Sequence, residues 1–171
     1  MEMQFLPSDP QYAEMFSNYR NDPVTQKFNP VLNQTLEELK KRLSEACSDW
    51  SDFDKKESFI WFVSYRGNTV GTASMHNINR SMLTAEIGYG VFPSYRGQGI
   101  GSKIIKKLTS DAFQYTKLRK LIAFVHEKNN FSKKILEKNG FIKEGMLREH
   151  YLIHEVPADE AIYGILRKDV I

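Results

Sequence analysis

Residues 85–101 read AEIGYGVFPSYRGQGIG, and the fold turns on how this stretch is read. An apolar strand runs into an Arg-Gly-Gln-Gly-Ile-Gly loop, and a basic amphipathic helix follows at once. Gly97, Gly99 and Gly101 alternate, which leaves the amides of the loop bare. The helix start adds its partial positive charge. Together these make a cradle for a phosphate-bearing ligand.

Outward from the loop, helices and strands alternate. Upstream, residues 59–65 are aromatic and β-branched, Arg66-Gly67-Asn68 is a turn, and residues 69–77 form a second strand, giving a β-hairpin. Residues 82–92 are a third strand. Downstream, 102–115 is a helix with Ile104, Ile105, Leu108 and Ala112 inward and Lys103, Lys106 and Lys107 outward. Residues 120–126 are a short apolar strand. Strand, loop, helix and strand over 82–126 form a crossover unit, which predicts a parallel, right-handed pair. A short helix over 132–139 is closed by Gly140 in the left-handed conformation. Residues 143–154 and 160–167 read as a closing antiparallel hairpin joined through Pro157-Ala158-Asp159.

Near the start, Ser8-Asp9-Pro10 opens a helix carrying Tyr12, Phe16 and Tyr19, which Asn21-Asp22-Pro23 ends. Thr35 with Glu38 forms a capping box, and Leu36, Leu39 and Leu43 share one face of the helix that follows. Residues 48–57 are an acidic surface loop. The fold class is α/β: a mixed sheet, antiparallel at its beginning and parallel in the middle, with helices on both faces.

Composition narrows the function. A chain of 171 residues reads as a single domain over 1–171 with one substantial core. A net charge of +3 is far below that of a dedicated nucleic-acid binder. Lone Cys47 excludes an internal disulfide and a multi-cysteine metal site, which suits a reducing cytosol. The opening MEMQFLPSDP has no basic or long apolar run, and no stretch has the length of a membrane span. A soluble, cytoplasmic protein without metal or membrane partner is expected.

Three readings of the glycine loop compete. A P-loop requires a lysine placement that is missing here. A dinucleotide fingerprint requires Gly-x-Gly-x-x-Gly at the opening of a parallel sheet. This loop lies mid-chain after a hairpin, although Glu127 ends the next strand near where a ribose-binding acid would sit. The third reading matches. Arg96-x-x-Gly99-x-Gly101 resembles the Arg/Gln-x-x-Gly-x-Gly/Ala signature of the GNAT acyl-CoA N-acetyltransferases. Ala85-Glu86-Ile87-Gly88-Tyr89 looks like that family's fourth strand. Asn129-x-x-Ser132 followed by Glu137-Lys138-Asn139-Gly140-Phe141 looks like its later cofactor motif. Residues 144–149, Asp159 and Tyr163-Gly164-Ile165-Leu166 are similar to the end of the ribosomal-protein N-terminal acetyltransferase branch, as is Arg20-Asn21-Asp22-Pro23.

The resemblance implies a mostly antiparallel sheet with two splayed central parallel strands and acetyl-CoA as co-substrate. Arg96, Gly97, Gln98, Gly99, Ile100, Gly101, Ser102 and Asn129 would hold the cofactor, and Tyr89, Gly90 and Val91 would pair with its pantetheine arm. A backbone amide near Val91 would meet the oxyanion. The acceptor would be a primary amine, either a protein N-terminus or a small amine, bound near Phe28, Trp61 and Tyr151. A homodimer stays open.

Acetyl transfer requires an unprotonated amine. An α-amino group titrates near pH ~8 and a lysine-type amine near ~10, so a general base helps. Glu86, a carboxylate in an otherwise apolar strand, is the candidate; a structural carboxylate paired with a cation is the alternative, and Glu149 is the runner-up. Many family members place a tyrosine four residues after the position of Ser132 as proton donor, and this chain has Leu136 there. The resemblance makes Ser132 the replacement, and a helix N-cap is its other reading. Tyr151 and Tyr163 could reach the site or lie in the core. His150 and His154 lack a helical zinc spacing. His126 ends a central strand, and Cys47 reads as helix packing. Lys117, Arg119, Lys120, Lys133 and Lys134 read as a solvated face, with the CoA 3′-phosphate or RNA as the alternatives. Asp49, Asp52, Asp54 and Glu57 could line a polyamine pocket or be plain surface. A CoA-binding sensor without turnover is a competing class, which Leu136 favours.

Overall fold

The computed structural model describes residues 2–29 and 34–170. One seven-stranded sheet organises them: β1 (Gln4–Pro7), β2 (Phe59–Tyr65), β3 (Asn68–Asn79), β4 (Thr84–Val91), β5 (Lys120–His126), β6 (Ile142–Ile153) and β7 (Val156–Leu166). Their spatial order is β1-β2-β3-β4-β5-β7-β6, and β4–β5 is its one parallel pair. The helices are α1 (Ala13–Arg20), α2 (Pro23–Phe28), α3 (Leu36–Glu45), α4 (Ile100–Tyr115) and α5 (Asn130–Lys138). No described helix is long and apolar enough to cross a membrane.

The helices cover both faces, as the apolar periodicity requires. Ile104, Ile105, Leu108 and Ala112 of α4 are fully buried against Ala85, Ile87, Leu121 and Ala123 of the central strands. On the other face Phe16 of α1 and Leu39 and Leu43 of α3 close over Phe62 and Phe92. The Thr35–Glu38 capping box is formed in both directions. Leu36, expected to share the buried face, is 41% exposed, whereas Leu39 and Leu43 are fully buried. The Arg167 guanidinium, just past the last strand, donates to the carbonyls of Phe113, Thr116 and Leu118, at and beyond the end of α4.

Several boundaries differ from the sequence reading. Asn21-Asp22-Pro23 ends α1 and also starts α2, with Asp22 as N-cap and Pro23 in the first turn. Cys47 lies beyond α3 and makes a bridge to Phe59, so it is not part of the helix. The acidic loop after it sends Trp50 and Phe53 into the core. The closing hairpin turns at His154 and Glu155, both at positive φ, and Pro157-Ala158-Asp159 lies inside β7. Alternation of apolar residues does not register a proline near a strand's start, where a missing N–H is tolerated.

Gly71 and Gly90 set the spacing of β3 and β4. A Cβ on Gly71 would fall inside the contact radius of the Gly90 carbonyl oxygen, a backbone atom that cannot swing aside. Gly71→Ala is therefore expected to destabilise the protein by about 1–3 kcal/mol, the usual penalty for overpacking. Urea unfolding that gives an unchanged midpoint would show that the two strands can separate freely.

Candidate active site

β4 pairs with β5 through only three register partners: Thr84 with Lys120, Ala85 with Leu121 and Glu86 with Ile122. Beyond Glu86 each strand stays with its other neighbour. β4 follows β3 as far as Val91, and β5 follows β7 as far as His126. A wedge therefore opens in the middle of the sheet. The Phe92 N–H donates to the Val70 carbonyl at 2.9 Å, continuing the β3–β4 register. Alternation then turns the main-chain groups of Tyr89 and Val91 away from β3, into the wedge. Among the described residues no strand pairs with that edge of β4 beyond Glu86.

The glycine loop stands at the mouth of the wedge. Gly97 and Gly99 have φ of +75° and +72°, which only glycine adopts without strain, and a Cβ on either would meet nothing within 4 Å. Gly99 is the N-cap of α4, which has no side-chain cap and no acidic residue in its first turn. The amides of Ile100, Gly101 and Ser102 thus start a 16-residue helix with its positive end uncovered. Gly101 has a different duty: a Cβ there would lie 2.9 Å from Ile135 and 3.2 Å from Tyr89, so its absence lets α4 approach β4 and α5.

The side chains of the loop do other work. Arg96 turns inward to Asp22 at 2.8 Å and Thr25 at 3.1 Å, with Nε near the Val91 carbonyl at 3.3 Å. Gln98 folds back to the Ser94 carbonyl, Ile100 is buried, and the Ser102 hydroxyl accepts from Asn139. The cradle is made by main chain.

Ser132 is free of the capping duty considered for it. Asn129 is the N-cap of α5, its side chain accepting from the Ser132 N–H at 3.1 Å. The Ser132 hydroxyl instead meets the Tyr89 hydroxyl at 2.9 Å. This bond joins β4 to the start of α5 across the wedge, on the α4 side of the sheet. Burial pushes the Tyr89 phenol up to about 12, against the Ser132 hydrogen bond, so it stays protonated. Leu136 is fully buried in the core.

Glu86 lies on the opposite face. Its carboxylate is bonded to His76 Nε2 at 2.9 Å and accepts from Asn77 Nδ2 at 2.7 Å. Burial opposes its charge, but these bonds and the nearby imidazoles of His76 and His150 outweigh burial and hold it below the ordinary carboxylate range. Asn77 reaches it from an irregularity in β3, where the register shifts after His76 and Asn77 takes a φ of +49°. Next along this face come Gly88 and Gly90, bare positions beneath Ser74 and the Tyr19 hydroxyl.

Across the wedge, the same face carries Phe124, His126 and Glu160. His150 pairs with Glu160 at 2.7 Å and stacks on Phe124, while His126 meets Phe28 and Tyr151 edge-on. Phe28 and Tyr151 thus come together as anticipated. Trp61 does not join them: it is 1% exposed in the opposite core, stacked on Trp50 and donating to the Ser48 carbonyl. Tyr163 is also core, its hydroxyl on Glu137. Glu149 sits in a bulge of β6 with its N–H on Asp159, and its side chain is exposed. His76, Asn77, Tyr19 and Glu160 were missed in the sequence. Asn77, a residue type that tolerates positive φ, was the one available signal.

Comparison with known proteins agrees with this architecture. The family model for the acetyltransferase (GNAT) domain matches residues 4–142. A probable N-acetyltransferase of Bacillus subtilis, YjcK, is 33% identical over 159 residues, covering 92% of this chain and 82% of its own. The ribosomal-protein-S5-alanine acetyltransferase of Vibrio fischeri superposes with a TM-score of 0.84 at 23% identity, over 99% of this chain and 95% of that one. The spermidine N-acetyltransferase of Vibrio cholerae, solved with CoA and spermine, gives 0.84 at 19% identity, over 98% and 97%.

Asp22 ties the helical layer to the loop, and its ionisation gives a test. Burial disfavours its charge, but Arg96 and the Thr25 N–H and hydroxyl outweigh burial and lower its pKa. The resulting stability is complete above the unfolded carboxyl value of ~3.9 and is lost as pH falls through the lower folded value. Asp22→Asn is expected to destabilise by about 1.5–3 kcal/mol at neutral pH, as for a charged hydrogen bond. Its gap from the parent should close below pH ~4. A gap independent of pH in unfolding titrations would remove the ion pair as its cause.

Proposed function

The chain belongs to the GNAT acetyltransferase family, and from that premise we propose that it carries the acetyl group of acetyl-CoA to the α-amino end of a protein or peptide. The carrying observation is the division of labour across the wedge. The carboxylate set of Glu86 lies on one face, and the Tyr89–Ser132 hydroxyl pair lies on the other. A substrate threaded between β4 and β5 would meet a proton-accepting side and a proton-donating side on opposite faces of its reacting carbon.

The residues present fit acetyl-CoA. The amides from Gly97 to Ser102 and the uncovered end of α4 would hold its pyrophosphate, each dipole contact contributing about 0.3–1 kcal/mol or more when partly buried. The edge of β4 over Tyr89, Gly90 and Val91 would take the pantetheine arm as an added strand, through the main chain of Tyr89 and Val91. The bound thioester supplies an activated acetyl group. Glu86 and the groups bonded to it draw the proton from the acceptor, and the Val91 N–H meets the oxyanion, at about 2.7–4 kcal/mol for such a donor. Ser132, held by Tyr89, returns a proton to the sulfur.

A peptide end is favoured over a polyamine by the acidic loop. Asp49 accepts from the Ser51 N–H, Asp52 pairs with Lys55 and Glu57 with Arg80, so these carboxylates are engaged locally. The second reading, a small cationic amine, has Glu160 and the aromatic faces of Phe28 and Tyr151 in its favour, together with the spermidine enzyme among the structural neighbours. A cytoplasmic setting goes with either acceptor.

Thiol release from acetyl-CoA, followed with peptide N-termini, spermidine and an amino sugar, separates these readings. Peptides are expected to give the largest kcat/KM. A rate unmoved by any amine would leave only CoA binding. Gly99→Asp places a carboxylate in the open cradle and is expected to weaken acetyl-CoA at least tenfold with folding retained, a loss of about 1.4 kcal/mol or more. Unaltered affinity by calorimetry would refute the cradle.

A further inference from the structure

We propose that His76 is the group that takes the acceptor's proton, with Glu86 as its positioning carboxylate. This rests on the acetyltransferase reading and names the atom that performs its first step. The two residues are register partners on adjacent strands, with Nε2 2.9 Å from Glu86 Oε1. The other oxygen of Glu86 is taken by Asn77. An ionised carboxylate can only accept, so the pair requires a proton on Nε2 and leaves Nδ1 of the neutral ring with its lone pair.

The surroundings place that ring where the acceptor arrives. His76 Cε1, the carbon between the two nitrogens, lies 3.8 Å from where a Gly88 Cβ would be, over the bare strip of β4. The His76 side chain is 39% exposed and that of Glu86 is 20% exposed, so the imidazole is the more accessible of the two. The groups on this face are Glu86 on β4, Asn77 and Ser74 on β3, Tyr19 from α1 above Gly90, and, near Glu86, His150 from β6, itself held by Glu160 of β7. Glu86 by itself is a poor destination for the proton. Both its oxygens are engaged, and its environment favours the charged form. Between residue types, imidazole titrates about two units above a carboxylate and so lies closer to an amine.

The proton count closes. The ammonium gives one proton to Nδ1, leaving a free amine and an imidazolium that Glu86 neutralises. The amine nitrogen bonds to the acetyl carbon as the carbon–sulfur bond breaks. The second nitrogen proton is handed on to the thiolate by way of Ser132, and the proton on Nδ1 returns to solvent.

The experiment compares His76→Gln and Glu86→Gln with the parent, measuring thiol release with an N-terminal peptide across the neutral pH range. Calorimetry with acetyl-CoA and the 15N shifts of the histidine rings are recorded alongside. His76→Gln should lower kcat by about 100-fold or more, the scale of general-base catalysis, with acetyl-CoA affinity kept. Glu86→Gln should keep the rising limb of kcat and move it to lower pH, because the imidazolium loses its counter-charge. The parent's neutral His76 ring should carry its proton on Nε2. His76→Gln with more than about a third of the parent's kcat would overturn the assignment, as would a limb abolished by Glu86→Gln or an Nδ1-protonated ring. A parent enzyme with no amine-dependent release would sink the acetyltransferase reading instead, and the ring shifts would still report on the pair.

Discussion

The early end of the β4–β5 pairing is the constraint on which the site depends. Two strands that met along their full lengths would satisfy each other and close the sheet. Here the match lasts for three residues, because each strand is held more strongly elsewhere: β4 by seven partners on β3, β5 by seven on β7. The two halves of the sheet diverge, and the last shared position, Glu86 with Ile122, becomes the floor of a wedge. A strand edge left open is a hazard on a protein's rim. In the middle of a sheet, flanked by helices on both faces, it is shielded from other chains and open to an extended ligand.

The loop at the mouth of this wedge combines two kinds of glycine use that its spacing alone presents as one. Two positions supply positive φ, and the third supplies closeness. Arg96 has a role that its place in the motif does not disclose. Its guanidinium bonds to Asp22 and Thr25, so the loop's geometry is fixed to the start of α2. Asp22 in turn caps α2, whose last residue, Phe28, reaches the aromatic cluster at His126. One ion pair thus ties the glycine loop on one side to the cluster of Phe28, His126 and Tyr151 on the other.

What was legible in the sequence follows the range of the forces that decide it. The limits of β2 and β5 were read to the residue, because a continuous apolar or aromatic run bounded by turn residues is a local signal. The capping box of α3 and the left-handed Gly140 are local as well. The glycine loop before α4 was legible because it is built of main chain, which glycine spacing reports. The Glu86 face of the wedge was not, because it assembles from α1, α2, β3, β5, β6 and β7. His76 and Glu86 are ten residues apart and meet only through the hairpin register. Asn77 reaches the carboxylate through a bulge, and His150 reaches Glu160 beside another; such irregularities re-aim side chains and have no periodic signature. Trp61 illustrates the opposite failure. Strand parity decides whether an aromatic faces the site or the core, and a shift of one residue reverses the answer.

The departure at Leu136 takes on a different meaning in this light. Leu136 is sealed within the core beside Phe141 and Ile165, so a phenol pointing the same way would have to displace packed side chains. The hydroxyl at the wedge arrives from the other bank: Tyr89 extends from β4 to meet Ser132 at the beginning of α5. Asn129 makes this meeting possible by taking over the helix cap, which frees the Ser132 hydroxyl from its own backbone. A missing tyrosine on the helix therefore need not mean a missing hydroxyl at the site. The sequence records which residue was lost from one position, whereas proton transfer depends on what stands at a point in space.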